Sequence, residues 1–165
     1  MADIDTNVAA EVQQAIAEEE VRICLFSISG DSYAVTVDLL AEIIIPQKVF
    51  PVPTTPSHVI GIINLRGNIV PIVDIRPVLS LPSTAGLNQV AIIRHEQLTI
   101  GIVVDSVADV ISVPVSSILP LPAETAVQES DTKGRSRYLK AIVQRQNGVA
   151  ALLNIDRLLE AIRLS

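Results

Sequence analysis

Few residues in this chain carry groups that could do chemistry. They are two histidines (His58 and His95), one cysteine (Cys24), and three aspartates beside apolar runs (Asp74, Asp105 and Asp109). An imidazole can shuttle protons, a thiolate can attack, and a set of carboxylates can hold a metal or work as acid and base. The spacing argues against each. Neither histidine has a histidine or carboxylate four residues away, so no ligand pair of a helical metal site forms. His58 follows a proline-rich stretch and His95 falls in a turn, so both read as surface residues. Cys24 lies in an apolar segment with no base nearby and reads as core packing. The three aspartates close strands, where a carboxylate accepts unpaired backbone N–H groups or pairs with an arginine. A phosphate-binding glycine loop, a dinucleotide fingerprint and a serine nucleophile elbow are all absent from the sequence. Arg66, in Asn64-Leu65-Arg66-Gly67, is harder to assign. Gly67 suits a hairpin apex that needs positive φ, but Arg66 sits between two strongly apolar runs, where its charge must reach water or a carboxylate.

The elements that position these residues are short strands. Val21–Ile28 and Tyr33–Val37 flank the turn Ser29-Gly30-Asp31-Ser32. Asp38 could cap a helical turn through Leu39, Leu40, Ala41 and Glu42. Pro46, Pro51, Pro53 and Pro56 make the next stretch irregular or edge strand. Three hairpins follow. Val59–Leu65 joins Ile69–Ile75 through Arg66-Gly67-Asn68, and Gln89–Arg94 joins Leu98–Asp105 through His95-Glu96-Gln97. Tyr138–Gln144 joins Val149–Ile155 around Asn147-Gly148. Polar loops occupy 80–88 and 120–137, and an amphipathic helix over Asp156–Leu164, capped by Asp156, ends the chain. Residues 69–74, 100–105 and 151–154 echo one another, each an apolar strand closing on Asp or Asn. Many short strands at close spacing predict barrels rather than a parallel sheet. Strands this apolar on both faces predict burial between two layers or an exposed binding surface.

Composition narrows the function classes. The 165 residues carry a formal charge of −6, and residues 1–20 alone supply it, with six acidic and no basic side chains. The remaining body has 12 acidic and 12 basic residues and is formally neutral. Nucleic acid and anionic membranes reward clustered Lys and Arg, so neither is expected as a partner. With two Phe, two Tyr and no Trp, the chain lacks the platforms a single-strand binder stacks bases on. One cysteine allows no intrachain disulfide, which fits a reducing compartment. The first twenty residues lack the basic start and apolar run of a secretory signal, and no stretch approaches the roughly 20 apolar residues of a spanning helix. The chain reads as a soluble, intracellular domain over 21–165, preceded by an acidic leader, 1–20, that is partly disordered or loosely helical along Val8, Val12 and Ile16.

Gly61-Ile62-Ile63-Asn64-Leu65-Arg66-Gly67, followed by Ile69-Val70-Pro71-Ile72-Val73-Asp74-Ile75-Arg76, resembles the signature hairpin of the CheW family of chemotaxis coupling proteins. Tyr33 to Ile43, Gly101 to Val110, Tyr138-Leu139-Lys140 and Asn154 to Leu159 resemble other parts of the family in the right order, so the resemblance covers roughly residues 21–162. It implies an all-β fold of two small five-stranded, SH3-like β-barrel subdomains, intertwined, with short helical turns and a C-terminal helix. It also implies a cytoplasmic, non-enzymatic adaptor without cofactor or metal, recruited to receptor arrays at the membrane but not inserted in it. The implied partners are the cytoplasmic tip of a chemoreceptor and the regulatory domain of a CheA-type histidine kinase, with the adaptor itself monomeric or weakly self-associating. Carried over residue by residue, the receptor-binding positions are Leu40, Glu42, Ile43, Arg66, Val107 and Val110, with Glu42 and Arg66 as a charged pair. The kinase-binding positions are Val49, Gly61 and Ile69. Ala141 departs from a glycine common in the family, the 120–137 loop is long and polar, and the leader has no family counterpart.

Two other readings remain open at this level. One is a small-molecule- or metal-binding barrel built on Asp74, Asp105 and Asp109. The other is a related adaptor whose output is pilus-driven or light-directed movement rather than flagellar rotation.

Overall fold

The structure, a computed structural model, describes residues 19–46, 48–82, 89–121 and 135–163. In chain order the strands are β1 (Glu20–Ile28), β2 (Asp31–Thr36), β3 (Leu40–Ile44), β4 (Val59–Leu65), β5 (Asn68–Val73), β6 (Gln89–His95), β7 (Leu98–Val104), β8 (Ser106–Pro114), β9 (Ile118–Pro120), β10 (Leu139–Arg145) and β11 (Gly148–Leu153). The helix α1 (Ile155–Arg163) follows. They form two sheets, ordered β3-β6-β7-β5-β4 and β8-β1-β2-β11-β10-β9. We call these barrel one and barrel two.

Each sheet closes by the same device. The strand at one edge continues past a break and pairs across the opening. In barrel one the chain leaves β3, and Phe50 then forms an antiparallel bridge to Ile62 on β4. In barrel two β8 breaks at a 3-10 turn, Val115–Ser117, and β9 pairs with β10, placing Leu119 opposite Ile142. Counting β8 and β9 as one interrupted strand, both barrels have five strands, as the resemblance implied. The repeat extends to packing: β5 and β11 bury their successive residues in the same order, which gives the sequence echo of 69–74 and 151–154 its physical meaning.

The halves are exchanged between the barrels. Barrel two takes β1 and β2 from the N-terminal half, with β2 parallel to β11 and β1 antiparallel to β8. Barrel one takes β6 and β7 from the C-terminal half, with β5 parallel to β7 and β3 antiparallel to β6. This arrangement produces three cores rather than two. Ile63, Val70, Ile72, Val90, Ile92 and Val103 fill barrel one. Ile23, Leu25, Ala34, Val143 and Leu152 are among those filling barrel two. Between the barrels lies a larger shared core that includes Cys24, Phe26, Ile28, Ala91, Ile93, Ile102 and Leu158. Successive residues of β1 and β6 therefore alternate between a barrel interior and the shared core. Two-layer burial is why these strands are apolar on both faces.

The β4–β5 turn follows the right-handed twist of its strands. Leu65 pairs with Asn68, so the first loop is Arg66-Gly67, both residues at positive φ (51° and 88°), as a type I′ turn requires. Asn64 Oδ1 accepts the Gly67 N–H at 2.8 Å and completes it. Asn68 thus opens β5 rather than sitting in the turn. The third loop is Gln146-Asn147, one residue earlier than expected, and there the positive φ falls on Gly148, the first residue of β11.

Several expectations are corrected. The helical turn from Asp38 to Glu42 is only a 3-10 turn, Val37–Leu39, without a side-chain cap. Leu40–Ile44 is strand because β6 offers it a ladder, with Ile43 opposite Ala91 and Ile44 opposite Val90. β8 was not foreseen. Most of its residues are exposed or half-buried, so it lacks the apolar run that marked the other strands. The helix is capped by Asn154, whose Oδ1 accepts the Arg157 N–H at 3.2 Å, and Asp156 lies inside the first turn. β1 starts at Glu20, one residue before the boundary read from charge. The rest of the leader, residues 1–18, and most of the 120–137 loop lie outside the described residues. Among those described, no helix is long and apolar enough to cross a membrane.

Candidate functional site

The turn chemistry that makes Arg66 the apex of β4–β5 also aims it across the barrel-one opening. Its guanidinium forms a two-pronged ion pair with Glu42 of β3, Nη1 donating to Oε1 at 3.2 Å and Nη2 to Oε2. Hydrogen bonding from Arg66 holds the Glu42 carboxyl below the usual carboxylate range, with Arg66 and Arg94 adding electrostatic pull. The same bond raises the Arg66 guanidinium above its ordinary value. The arginine side chain stays 65% exposed, so the pair adds little to the stability of the fold.

Behind the pair lies an open cleft of about 390 Å³ between β3 and β4, lined by Glu42, Ile44, Ile45, Phe50, Leu65 and Arg66. Ile45 is 71% exposed, and Lys48 Nζ sits 4.8 Å from the centre of the half-exposed Phe50 ring. On the neighbouring strand β5, Ile69 is 62% exposed. Single exposed apolar residues are ordinary, but these cluster around one charged pair, which is how a docking surface reads.

The three positions inferred to face a kinase sit around this part of barrel one in different ways. Ile69 projects to solvent. Val49 is half-buried against the barrel-one core. Gly61 is buried, and a Cβ there would stand 2.4 Å from the Phe50 carbonyl oxygen and 2.8 Å from Val49 Cγ1. Its contribution is to let the Val49–Phe50 segment lie flat on β4, where Phe50 and Ile62 exchange hydrogen bonds of 2.8 and 2.9 Å. Apart from Arg66 at the β4–β5 apex, the positions inferred to face a receptor lie on equivalent edge strands of the two barrels. Leu40 and Ile43 on β3 and Val107 on β8 are half-buried and pack against the shared core. The Val107 N–H is fixed by Gln89 Oε1 at 2.8 Å. Val110, further along β8, is exposed.

The aspartates do not assemble into one site. Asp74 and Asp105 both bind Arg76, the largest buried side chain among the described residues, at 2% exposure. Asp74 Oδ1 also accepts the Arg76 N–H at 3.0 Å, and Asp105 Oδ2 accepts the Ser29 N–H at 2.7 Å. Asp109 Oδ1 accepts the Val110 N–H at 2.8 Å. Asp105 stands at the bend where the chain passes from β7 in barrel one to β8 in barrel two, so the arginine clamps the junction. Pairing with Arg was expected for these strand ends, but the identity and burial of Arg76 were not legible. Its only sequence sign is a lone cation directly after an apolar run.

Cys24 lies in the shared core, where burial, and secondarily Asp109, push its thiol up. His58 overturns its surface assignment. It is 6% exposed, because its carbonyl accepts the Asp74 N–H at 2.8 Å and draws it onto the end of β5. His95 does lie near the surface, with Nε2 2.5 Å from Asp156 Oδ1. The exposed Ile45 and Phe50 were also missed; nothing in a proline-broken run says which apolar side chains face water.

Comparison with known proteins agrees with this architecture. The profile of the CheW-like domain matches residues 22–163. The chain is 28% identical over 141 residues to the chemotaxis protein CheW of Bacillus subtilis, covering 84% of this chain and 86% of that protein. It is 31% identical over 139 residues to the chemotaxis protein CheW of Klebsiella aerogenes, covering 83% and 80%. The crystal structure of the scaffolding protein TtCheW from Thermoanaerobacter tengcongensis superposes with a TM-score of 0.70 at 23% identity, covering 81% of this chain and 88% of that one. Two exchanged barrels, the signature hairpin and a profile match running from β1 to the end of α1 lead to one conclusion: this chain belongs to the CheW-like domain family.

Proposed function

We propose that this protein is a non-enzymatic signalling adaptor that couples chemoreceptors to a CheA-type histidine kinase. The observation that carries the reading is the family match over residues 22–163, joined to an exposed charged pair beside clustered apolar side chains. Apolar contacts of this kind hold a partner by area, at about 1.5–3 kcal/mol per fully buried side chain, while the ion pair sets its orientation. The receptor's helical tip lies against Leu40, Ile43, Val107 and Val110, with Glu42 and Arg66 at its edge. The kinase regulatory domain docks on barrel one at Val49 and Ile69, with Gly61 shaping the surface beneath. The adaptor works in the cytoplasm, is held at the membrane by receptor arrays, and is monomeric or weakly self-associating when alone.

The test is a reconstituted receptor–kinase–adaptor assay with the Arg66→Glu variant. That substitution places two carboxylates opposite each other on an exposed surface, so unfolding by urea should match wild type while receptor control of kinase activity falls. A variant that folds normally and controls the kinase as well as wild type would remove Arg66 from the docking site.

A further inference from the structure

A second cluster of chemically capable groups lies away from the docking surface. His95 and Glu96 come from the β6–β7 turn of barrel one. Asp156 comes from the first turn of α1, which follows the last strand of barrel two. One donor atom from each residue can be chosen so that all three lie within 4.8 Å of one another. No sequence spacing announces this set, because His95 and Asp156 are 61 positions apart.

Three features argue for a ligand rather than for chance. First, Asn154 caps the helix, which leaves the Asp156 carboxylate without a backbone duty. Second, both sides are held by the fold. The turn is pinned by the pairing of His95 with Leu98 and by Glu96 at φ 58°, and α1 is anchored through Ile155, Leu158 and Leu159 in the shared core. Third, His95 and Asp156 line a cleft of about 230 Å³ together with Asp38 and Lys140, so water can reach both and complete a coordination shell. One imidazole and two carboxylates suit a borderline divalent ion such as Zn²⁺, whereas Mg²⁺ and Ca²⁺ prefer oxygen donors alone.

We propose that His95, Glu96 and Asp156 form a Zn²⁺-type site that staples α1 to the β6–β7 turn. Binding displaces the direct His95–Asp156 contact and replaces it with bonds through the metal, tying barrel one to the helix that closes the chain.

The chain makes the test clean. It has two histidines, and the other, His58, is buried, so an imidazole response to metal reports His95 alone. Tag-free full-length protein is titrated with ZnCl₂ by calorimetry, with the histidine ring signals followed by NMR. The expected result is one equivalent bound, a shift of the His95 ring signals, and a Tm that rises with Zn²⁺. His95→Gln and Asp156→Asn, both outside the cores, should each weaken binding roughly tenfold or more and abolish the Tm rise. Wild-type affinity in His95→Gln, absence of binding to wild type, or equal binding of Mg²⁺ would each overturn the site.

Discussion

Replacing Arg76 by Met tests the junction clamp most directly. Met keeps the apolar stem and much of the volume but removes the guanidinium that Asp74 and Asp105 share. Breaking a buried ion pair from one side costs about 3–5 kcal/mol, because the partner charge is left uncompensated. Two facts lower that figure here. Asp74 and Asp105 remain 18% and 23% exposed, so water reaches them, and each keeps a backbone N–H, from residue 76 and from Ser29. The expected loss is therefore about 2–4 kcal/mol, set against roughly 5–15 kcal/mol for a domain of this kind. Equilibrium urea unfolding reads it as a fall in midpoint of roughly 1–3 M. The companion variant Arg76→Met/Asp74→Asn/Asp105→Asn removes the repelling charges and should recover part of the loss. A single variant within about 0.5 kcal/mol of wild type, or a triple variant no better than the single one, would refute the clamp.

Other consequences are as open to measurement. Gly61→Val should lift the Val49–Phe50 segment off β4, because a Cβ has no room there; its urea midpoint should fall and the Phe50 amide should lose hydrogen-exchange protection. Asn154→Ala should cost about 1 kcal/mol through loss of the helix cap, visible by thermal unfolding, whereas Asp156→Ala should cost less. The Glu42 carboxyl should titrate below the ordinary carboxylate range by NMR, and Arg66→Gln should return it upward. The sign follows from the depressed value: the interaction is complete above the ordinary carboxylate pKa and is lost as pH falls through the lowered one.

Elements whose cause is local were legible in the chain. Two of the three hairpins could be placed because Gly67 and the Asn147-Gly148 pair mark turns between β-rich runs, and the second because the polar His95-Glu96-Gln97 interrupts two apolar runs; the errors there were of one or two residues. The helix was legible from its apolar period, but its cap was not, since Asn154 and Asp156 are both good caps and only the ladder end at Leu153 decides between them. What depends on distant partners was hidden. Leu40–Ile44 is strand only because β6 lies beside it, and Arg76 and His58 are buried because β5 ends against other segments. Of the candidate site, Arg66 drew notice as an unexplained charge, but its tie to Glu42 came only through family resemblance. The crowding of Ile45 and Phe50 beside that pair emerged only in three dimensions.

The exchange of strands between barrels bears on how the chain must fold during synthesis. β1 and β2 leave the ribosome first, yet Cys24 finds its ladder partner in Val110, and Tyr33 finds one in Ala151. The first hairpin must wait, with both edges open, until β8 and β11 have emerged. Barrel one likewise cannot close on β3–β5 before β6 and β7 arrive. Pairing across such separations is slow and leaves unsatisfied edges exposed to neighbouring nascent chains. Neither fragment of the domain cut between residues 82 and 89 contains a complete barrel. Each fragment alone should therefore aggregate or be degraded, and only the two expressed together should reconstitute a folded particle.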